Sequence, residues 1–192
     1  GRILQALEET GQRDDTLIIF LADNGGCAEE LGPRQGGAGR NPIATEQTRD
    51  DRVVQRGNDP GVMPGGEETY QSYGIPWANV SNTPFRLYKH WVHEGGISTP
   101  FIANWPAGIA SKGELRHQAA QLPDVMATLL ELAGSEYPSS RQGRVVKPLE
   151  GFSMTPTFTG NAHAREVLYW EHEGNSAIHR DRWKLVRKYP VD

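Results

Sequence analysis

Five apolar residues in succession, Leu17-Ile18-Ile19-Phe20-Leu21, run directly into Ala22-Asp23-Asn24-Gly25-Gly26. No other stretch constrains the fold of this chain as much. A short continuous apolar run predicts a strand buried on both faces, because a half-exposed strand would alternate. Ahead of it, Ile3, Leu4 and Leu7 share one helical face within residues 1–10, and Gly11 stops the pattern. Helix, buried strand, then polar residues and glycines is the signature of an α/β fold. Ligand sites in open α/β sheets gather beyond the carboxyl ends of strands, which is where Asp23 and Asn24 fall.

The 192 residues, 36% of them apolar, suit one globular domain with at most a small second one. No run approaches the ~18 apolar residues of a transmembrane helix. A net charge of −4 with no basic stripe argues against a nucleic-acid partner. The single cysteine, Cys27, excludes an internal disulfide framework and a Cys-rich metal site. The chain opens on Gly1-Arg2 with helical spacing already under way. We expect it to be part of a longer polypeptide, with any targeting signal outside it.

Along the chain, residues 1–134 read as the α/β part. Within them, residues 31–70 carry eight Gly and four Pro and keep no period, which predicts a long irregular excursion. Residues 71–99 read as irregular too, but aromatic: Tyr73, Trp77, Phe85, Tyr88 and Trp91 predict a packed loop lining a cleft, in which Tyr73, Trp77 and Trp91 could stack on a ring or sugar or equally fill core. Residues 100–104 predict a second buried strand. Residues 122–133 predict a helix, with Pro123 and Asp124 in its first turn and Val125, Met126, Leu129, Leu130 and Ala133 on its apolar face. Gly134 stops it. Residues 135–150 read as a polar linker. Residues 151–192 read as a small antiparallel sheet, with strands near 167–170, 177–179 and 183–186.

Several residues could carry chemistry. Asp23 and Asn24 offer a carboxylate and an amide oxygen, donors suited to a hard cation such as Ca²⁺ or Mg²⁺; the same residues also suit a simple Asx turn. Gly25 and Gly26 would leave room for a substrate. Lys89, in RLYKHWVHEGG, could bind the oxygens of an anion, or be an ordinary surface lysine before a Glu–Gly turn. His90 and His93 would share a face if their segment were helical, although two histidines make a poor metal site without a third ligand. His172, in WEHEGN, reads as a turn residue or an acid–base group, and His117 is equally open. Cys27 has no partner cysteine or adjacent base, so it reads as a small buried thiol rather than a nucleophile.

DDTLIIFLADNGG, SNTPFRLYKHWVHEGGISTPFIANWPAG, LPDVMATLLELAG, LEGFSMTPTFTG and LYWEHEGNSAIHRDRWKLV occur in this order and span nearly the whole chain. Together they resemble the C-terminal portion of the formylglycine-dependent sulfatases, the arylsulfatase family of the alkaline phosphatase-like superfamily. The resemblance implies part of an α/β/α sandwich with a mixed sheet, followed by a small C-terminal antiparallel sheet. It implies that Asp23 and Asn24 are calcium ligands and that Lys89 touches the sulfate group. Members convert a Cys or Ser in C/S-x-P-x-R to formylglycine. Its hydrate attacks sulfur and splits a sulfate ester into alcohol and sulfate.

That motif is not in this chain, since Cys27 precedes Ala28-Glu29-Glu30. The paired aspartates that complete the calcium site are absent too, and the arginine of EGGxR is Ser98 here. The formylglycine and remaining ligands are therefore expected outside the chain, which alone should be inactive and, with an incomplete sheet, prone to self-association. The implied substrate is a small-molecule or saccharide sulfate ester, and the implied compartment is periplasmic or extracellular. Two alternatives stay open: a phosphate or phosphonate monoester hydrolase of the same superfamily, and a non-catalytic structural or binding module.

Overall fold

The structure, a computed structural model, describes residues 1–30, 47–161 and 165–189. In chain order it contains α1 (Arg2–Glu9), β1 (Ile18–Leu21), β2 (Gln55–Arg56), β3 (Thr69–Tyr70), α2 (Gly74–Ser81), α3 (Glu94–Ile97) and β4 (Phe101–Asn104). Then follow α4 (Leu122–Leu132), β5 (Ser140–Arg141), β6 (Arg144–Val145), α5 (Thr155–Phe158), β7 (Val167–His172), β8 (Asn175–Arg180) and β9 (Trp183–Arg187). This is a mixed α/β fold with a small C-terminal antiparallel sheet, in the order β7-β8-β9. Among the described residues, no helix is long and apolar enough to cross a membrane.

The chain divides into two compact units. The first takes Gly1–Asp23, Pro100–Leu168 and Ile178–Lys184. Here β1 and β4 pair antiparallel, from Ile18 opposite Asn104 to Leu21 opposite Phe101. The Ala22 amide extends the ladder to the Pro100 carbonyl at 3.3 Å. The expectation that the first strand is buried on both faces is not met. Among the described residues β1 has β4 as its only strand neighbour, and Phe20 is 64% and Ile102 57% exposed.

The helix expected at 122–133 is α4. Gln121 caps it reciprocally: its side chain accepts from the backbone at Asp124, and the Asp124 carboxylate accepts the Gln121 amide at 2.7 Å. The face it buries is not the expected one. Asp124, Ala127 and Thr128 are buried, whereas Met126 and Leu129 are exposed. The reason lies in residues 151–155, whose backbone seeks polar partners on the helix. The Phe152 amide donates to Asp124 Oδ1 at 2.9 Å and the Met154 amide to Thr128 Oγ1 at 2.8 Å. Thr155 Oγ1 donates to Glu131 at 2.7 Å. Arg165 pairs with the fully buried Asp124 carboxylate and lies over the Phe152 ring at 4.7 Å. Gly151 is required for this approach, since a Cβ there would stand 2.0 Å from the Pro123 carbonyl oxygen. Residues 135–150, expected as a linker, include the β5–β6 hairpin, turned at Gln142 and Gly143 with φ of 51° and 75°.

The second unit takes the described residues of Asn24–Thr99, Tyr169–Ala177 and Leu185–Asp192. Of the excursion expected at 31–70, residues 31–46 lie outside the described residues. The rest contributes the two-residue parallel pair β2–β3. Beside it Arg52 bridges Asp50 and Glu68 at 2.8 and 2.7 Å. A hydrogen bond from Thr48, then the Arg52 guanidinium, holds the Asp50 carboxyl below its ordinary range. Residues 71–99 are less irregular than expected, because α2 forms with Pro76 in its first turn, where a missing amide costs no helical bond. Ala78 is its buried anchor, whereas Trp77 is 61% exposed. Core packing therefore does not account for Trp77.

Candidate functional site

The Asn24–Cys27 turn and the 82–96 loop, both in the second unit, are joined backbone to backbone. The Gly25 amide donates to the Gly96 carbonyl at 3.0 Å, and the Lys89 amide to the Gly26 carbonyl at 3.1 Å. The Gly95 amide donates to Arg86 at 2.9 Å. Such proximity needs missing side chains. A Cβ on Gly25 would stand 1.8 Å from the Gly95 carbonyl oxygen, and one on Gly95 would stand 1.9 Å from the Leu87 carbonyl oxygen. This is the physical use of the paired glycines in DNGG and HEGG.

Asn82 ties the same two segments with both ends of its amide. Its Oδ1 accepts the Gly26 amide at 3.0 Å and its Nδ2 donates to the Leu87 carbonyl at 3.0 Å. Sequence reasoning did not single out Asn82, which lies seven residues before Lys89 in a stretch that reads only as loop. The clamp holds two non-glycine residues in left-handed backbone, Leu87 at φ 67° and His90 at φ 90°. Such conformations are unfavourable for ordinary side chains and persist where the surroundings dictate them.

Lys89 extends back over the turn. Its Nζ is 4.0 Å from Cys27 Sγ and 3.3 Å from Glu29 Oε1, and its side chain is 41% exposed. Asn24, half-buried, opens this unit, and Asp23, exposed at the end of β1, closes the first. Cys27 is half-buried beside the ammonium. An ammonium can hold an anion, and its exposed pairing to Glu29 is of the sort worth under ~1 kcal/mol.

A second constellation lies at the β7–β8 turn. Glu173 and Gly174, at φ 50° and 80°, make the two-residue hairpin connection, and the Gly174 amide donates to Glu171 at 2.9 Å. His90 Nδ1 is 3.1 Å from Glu173 Oε2, and His172 Nε2 is 3.8 Å from Glu173 Oε1. One ligand atom from each of His90, His172 and Glu173 lies within 4.8 Å of the other two. The His90 ring is held edge-on by Trp91 at 4.8 Å, and Trp91 in turn carries Lys188 over its face at 4.2 Å. The segment of His90 and His93 is not helical, contrary to the arrangement in which they would share a face. The α3 helix starts at Glu94 and His93 only caps it, so the two histidines do not share a helical face. His90 instead meets His172 and Glu173, which lie 82 and 83 positions away. Glu173 carries no local signal beyond its place in the WEHEGN turn. His117 is exposed ahead of α4.

The sulfatase family model matches residues 1–135, and the model for the C-terminal region of N-sulphoglucosamine sulphohydrolase matches residues 85–191. An arylsulfatase of Klebsiella aerogenes is 32% identical over 81% of this chain and 31% of its own length. Mouse steryl-sulfatase is 29% identical over 95% of this chain and 22% of its own. Human N-acetylgalactosamine-6-sulfatase is 27% identical over 88% of this chain and 23% of its own. The chain thus spans about a third or less of these relatives.

Proposed function

The chain belongs to the sulfatase family, and from that premise we propose that it supplies the C-terminal part of a sulfuric ester hydrolase of the arylsulfatase type. Its substrate would be a small-molecule or saccharide sulfate ester, split into alcohol and sulfate, in a periplasmic or extracellular setting. Lys89 is the residue of this chain assigned to the reacting group. Its ammonium would bind sulfate oxygens and offset the negative charge that grows as the ester bond breaks. The observation that carries this reading is the clamp: the Lys89 amide bonded to Gly26 at 3.1 Å keeps the lysine against the turn that follows Asp23 and Asn24.

Asp23 and Asn24 are the residues assigned to calcium. One carboxylate and one amide oxygen suit a hard cation, but Ca²⁺ takes roughly six to eight oxygens, so the other ligands must come from elsewhere in the full polypeptide. When bound, calcium supplies positive charge that orients and polarises the sulfate. The sequence contains no C/S-x-P-x-R, so the formylglycine nucleophile is assigned to the same missing part. The test is a Lys89→Ala substitution in the longer polypeptide that contains this chain, assayed on a fluorogenic aryl sulfate. Turnover should drop by about a hundredfold or more, the scale on which a single oxyanion donor acts. Asp23→Asn should weaken calcium binding in the same protein. Undiminished turnover in Lys89→Ala would overturn the assignment, as would turnover by the isolated chain above its own Lys89→Ala control.

A further inference from the structure

We propose that His90, His172 and Glu173 form a binding site for a divalent d-block cation of the zinc type, separate from the oxygen-donor pair Asp23 and Asn24. The inference rests on the second unit alone and does not depend on the sulfatase reading.

The donor set comes first. Two imidazole nitrogens and one carboxylate match the His₂Glu set of zinc sites that keep a fourth position open to water or an anion. Imidazole is a good ligand for Zn²⁺, Ni²⁺ and Cu²⁺, whereas Ca²⁺ and Mg²⁺ want oxygen. The spacing is next. Zinc–ligand bonds of about 2.0–2.1 Å put neighbouring tetrahedral ligands roughly 3.3 Å apart. His90 Nδ1 to Glu173 Oε2 is 3.1 Å and His172 Nε2 to Glu173 Oε1 is 3.8 Å, and one ligand atom from each residue lies within 4.8 Å of those of the other two. All three side chains are exposed, so they can rotate to close on one ion.

The supports distinguish this group from three polar residues that happen to meet. His90 sits at φ 90°, next to the clamped Lys89, and the Trp91 amide bonds to the Tyr88 carbonyl at 3.1 Å. Its ring is fixed edge-on against Trp91. His172 and Glu173 are placed by the tight β7–β8 turn. Behind that turn the buried Asn175 donates to the His172 carbonyl at 3.1 Å and accepts the Tyr189 amide at 3.1 Å. A left-handed histidine and a left-handed glutamate, from two separate loops, thus aim at one point.

The experiment is a calorimetric titration of the chelator-treated chain with Zn²⁺, repeated with Co²⁺ while following its visible absorption. One equivalent of Zn²⁺ should bind, and excess Ca²⁺ should not displace it. His172→Ala, Glu173→Gln and His90→Asn should each weaken binding at least tenfold and remove the cobalt band. Asn tolerates positive φ, so His90→Asn removes the imidazole while sparing the backbone. His179→Ala should bind like the parent, and circular dichroism identifies any variant that has lost its fold. No stoichiometric binding, parent-like affinity in His172→Ala or His90→Asn, or displacement by Ca²⁺ would each overturn the proposal.

Discussion

Two junctions in this molecule bring a loop against its neighbour with different weights of side chain and backbone. In the first unit, residues 151–155 dock on α4 through side chains: the buried Asp124 carboxylate and Thr128 hydroxyl take up backbone amides, and Arg165 neutralises the charge. In the second unit, the Asn24–Cys27 turn meets the lysine loop backbone to backbone, with glycines where a side chain would collide and the Asn82 amide tying Gly26 to Leu87. Buried polar side chains dominate the first junction, with Gly151 allowing the approach. Close backbone contact at Gly25 and Gly95 dominates the second, so an added methyl there should disrupt it. Only the second bears on the proposed chemistry, because Lys89 is part of it.

The contrast can be broken most strongly at Asp124. Asp124→Ala strands the Arg165 charge and orphans the Phe152 amide, and removing one partner of a buried ion pair typically costs about 3–5 kcal/mol. Urea unfolding should show that loss while the proposed zinc titration of the second unit stays unchanged. A loss under ~1 kcal/mol would mean that the junction is not held by this carboxylate.

Gly95→Ala probes the other side. Its added methyl meets the Leu87 carbonyl at 1.9 Å, so the loop must shift, at an overpacking cost of about 1–3 kcal/mol. In the longer polypeptide the same change should lower aryl sulfate turnover, because Lys89 moves with the loop. Full activity at reduced stability would separate the clamp from the lysine.

The smallest effect belongs to Glu131, at the solvent edge of the first junction. Hydrogen bonds from Ser153 and then Thr155 hold its carboxyl below the ordinary value of 4.5. A depressed carboxyl contributes stability that is present above the unfolded pKa and is lost as pH falls through the folded one. Glu131→Gln should therefore flatten the acid limb of the stability profile below about pH 4.5, leaving its shape unchanged from pH 6 to 8. An unaltered acid limb would show that these exposed bonds do not persist in solution.

Much of this was readable from local pattern. Strands β1 and β4, helix α4 with Pro123 and Asp124 in its first turn, and the hairpins of β7, β8 and β9 announce themselves through runs, caps and turn residues. The α2 helix did not, because Gly74 and Pro76 mask a segment with little amphipathic period. The α4 face was misread for a different reason. Hydrophobic spacing favours Met126 and Leu129, but the residues that dock there bring backbone amides, which bind Asp124 and Thr128 instead. The apolar run of β1 likewise says that the strand can be buried on both faces, and says nothing of how many strands pair with it.

The lysine, the DNGG turn and the double glycine of HEGG were visible as residues with a plausible chemistry, since a motif is a local property of the chain. Residue type and spacing set the inventory: which groups could bind an anion or a cation, and which segments could be helix or strand. The meetings between them come from the fold. Asn82 bridging Gly26 and Leu87, and His90 facing a hairpin more than eighty positions away, arise because close backbone approach and tight turns bring separate loops together. Distance along the chain carries no record of that proximity.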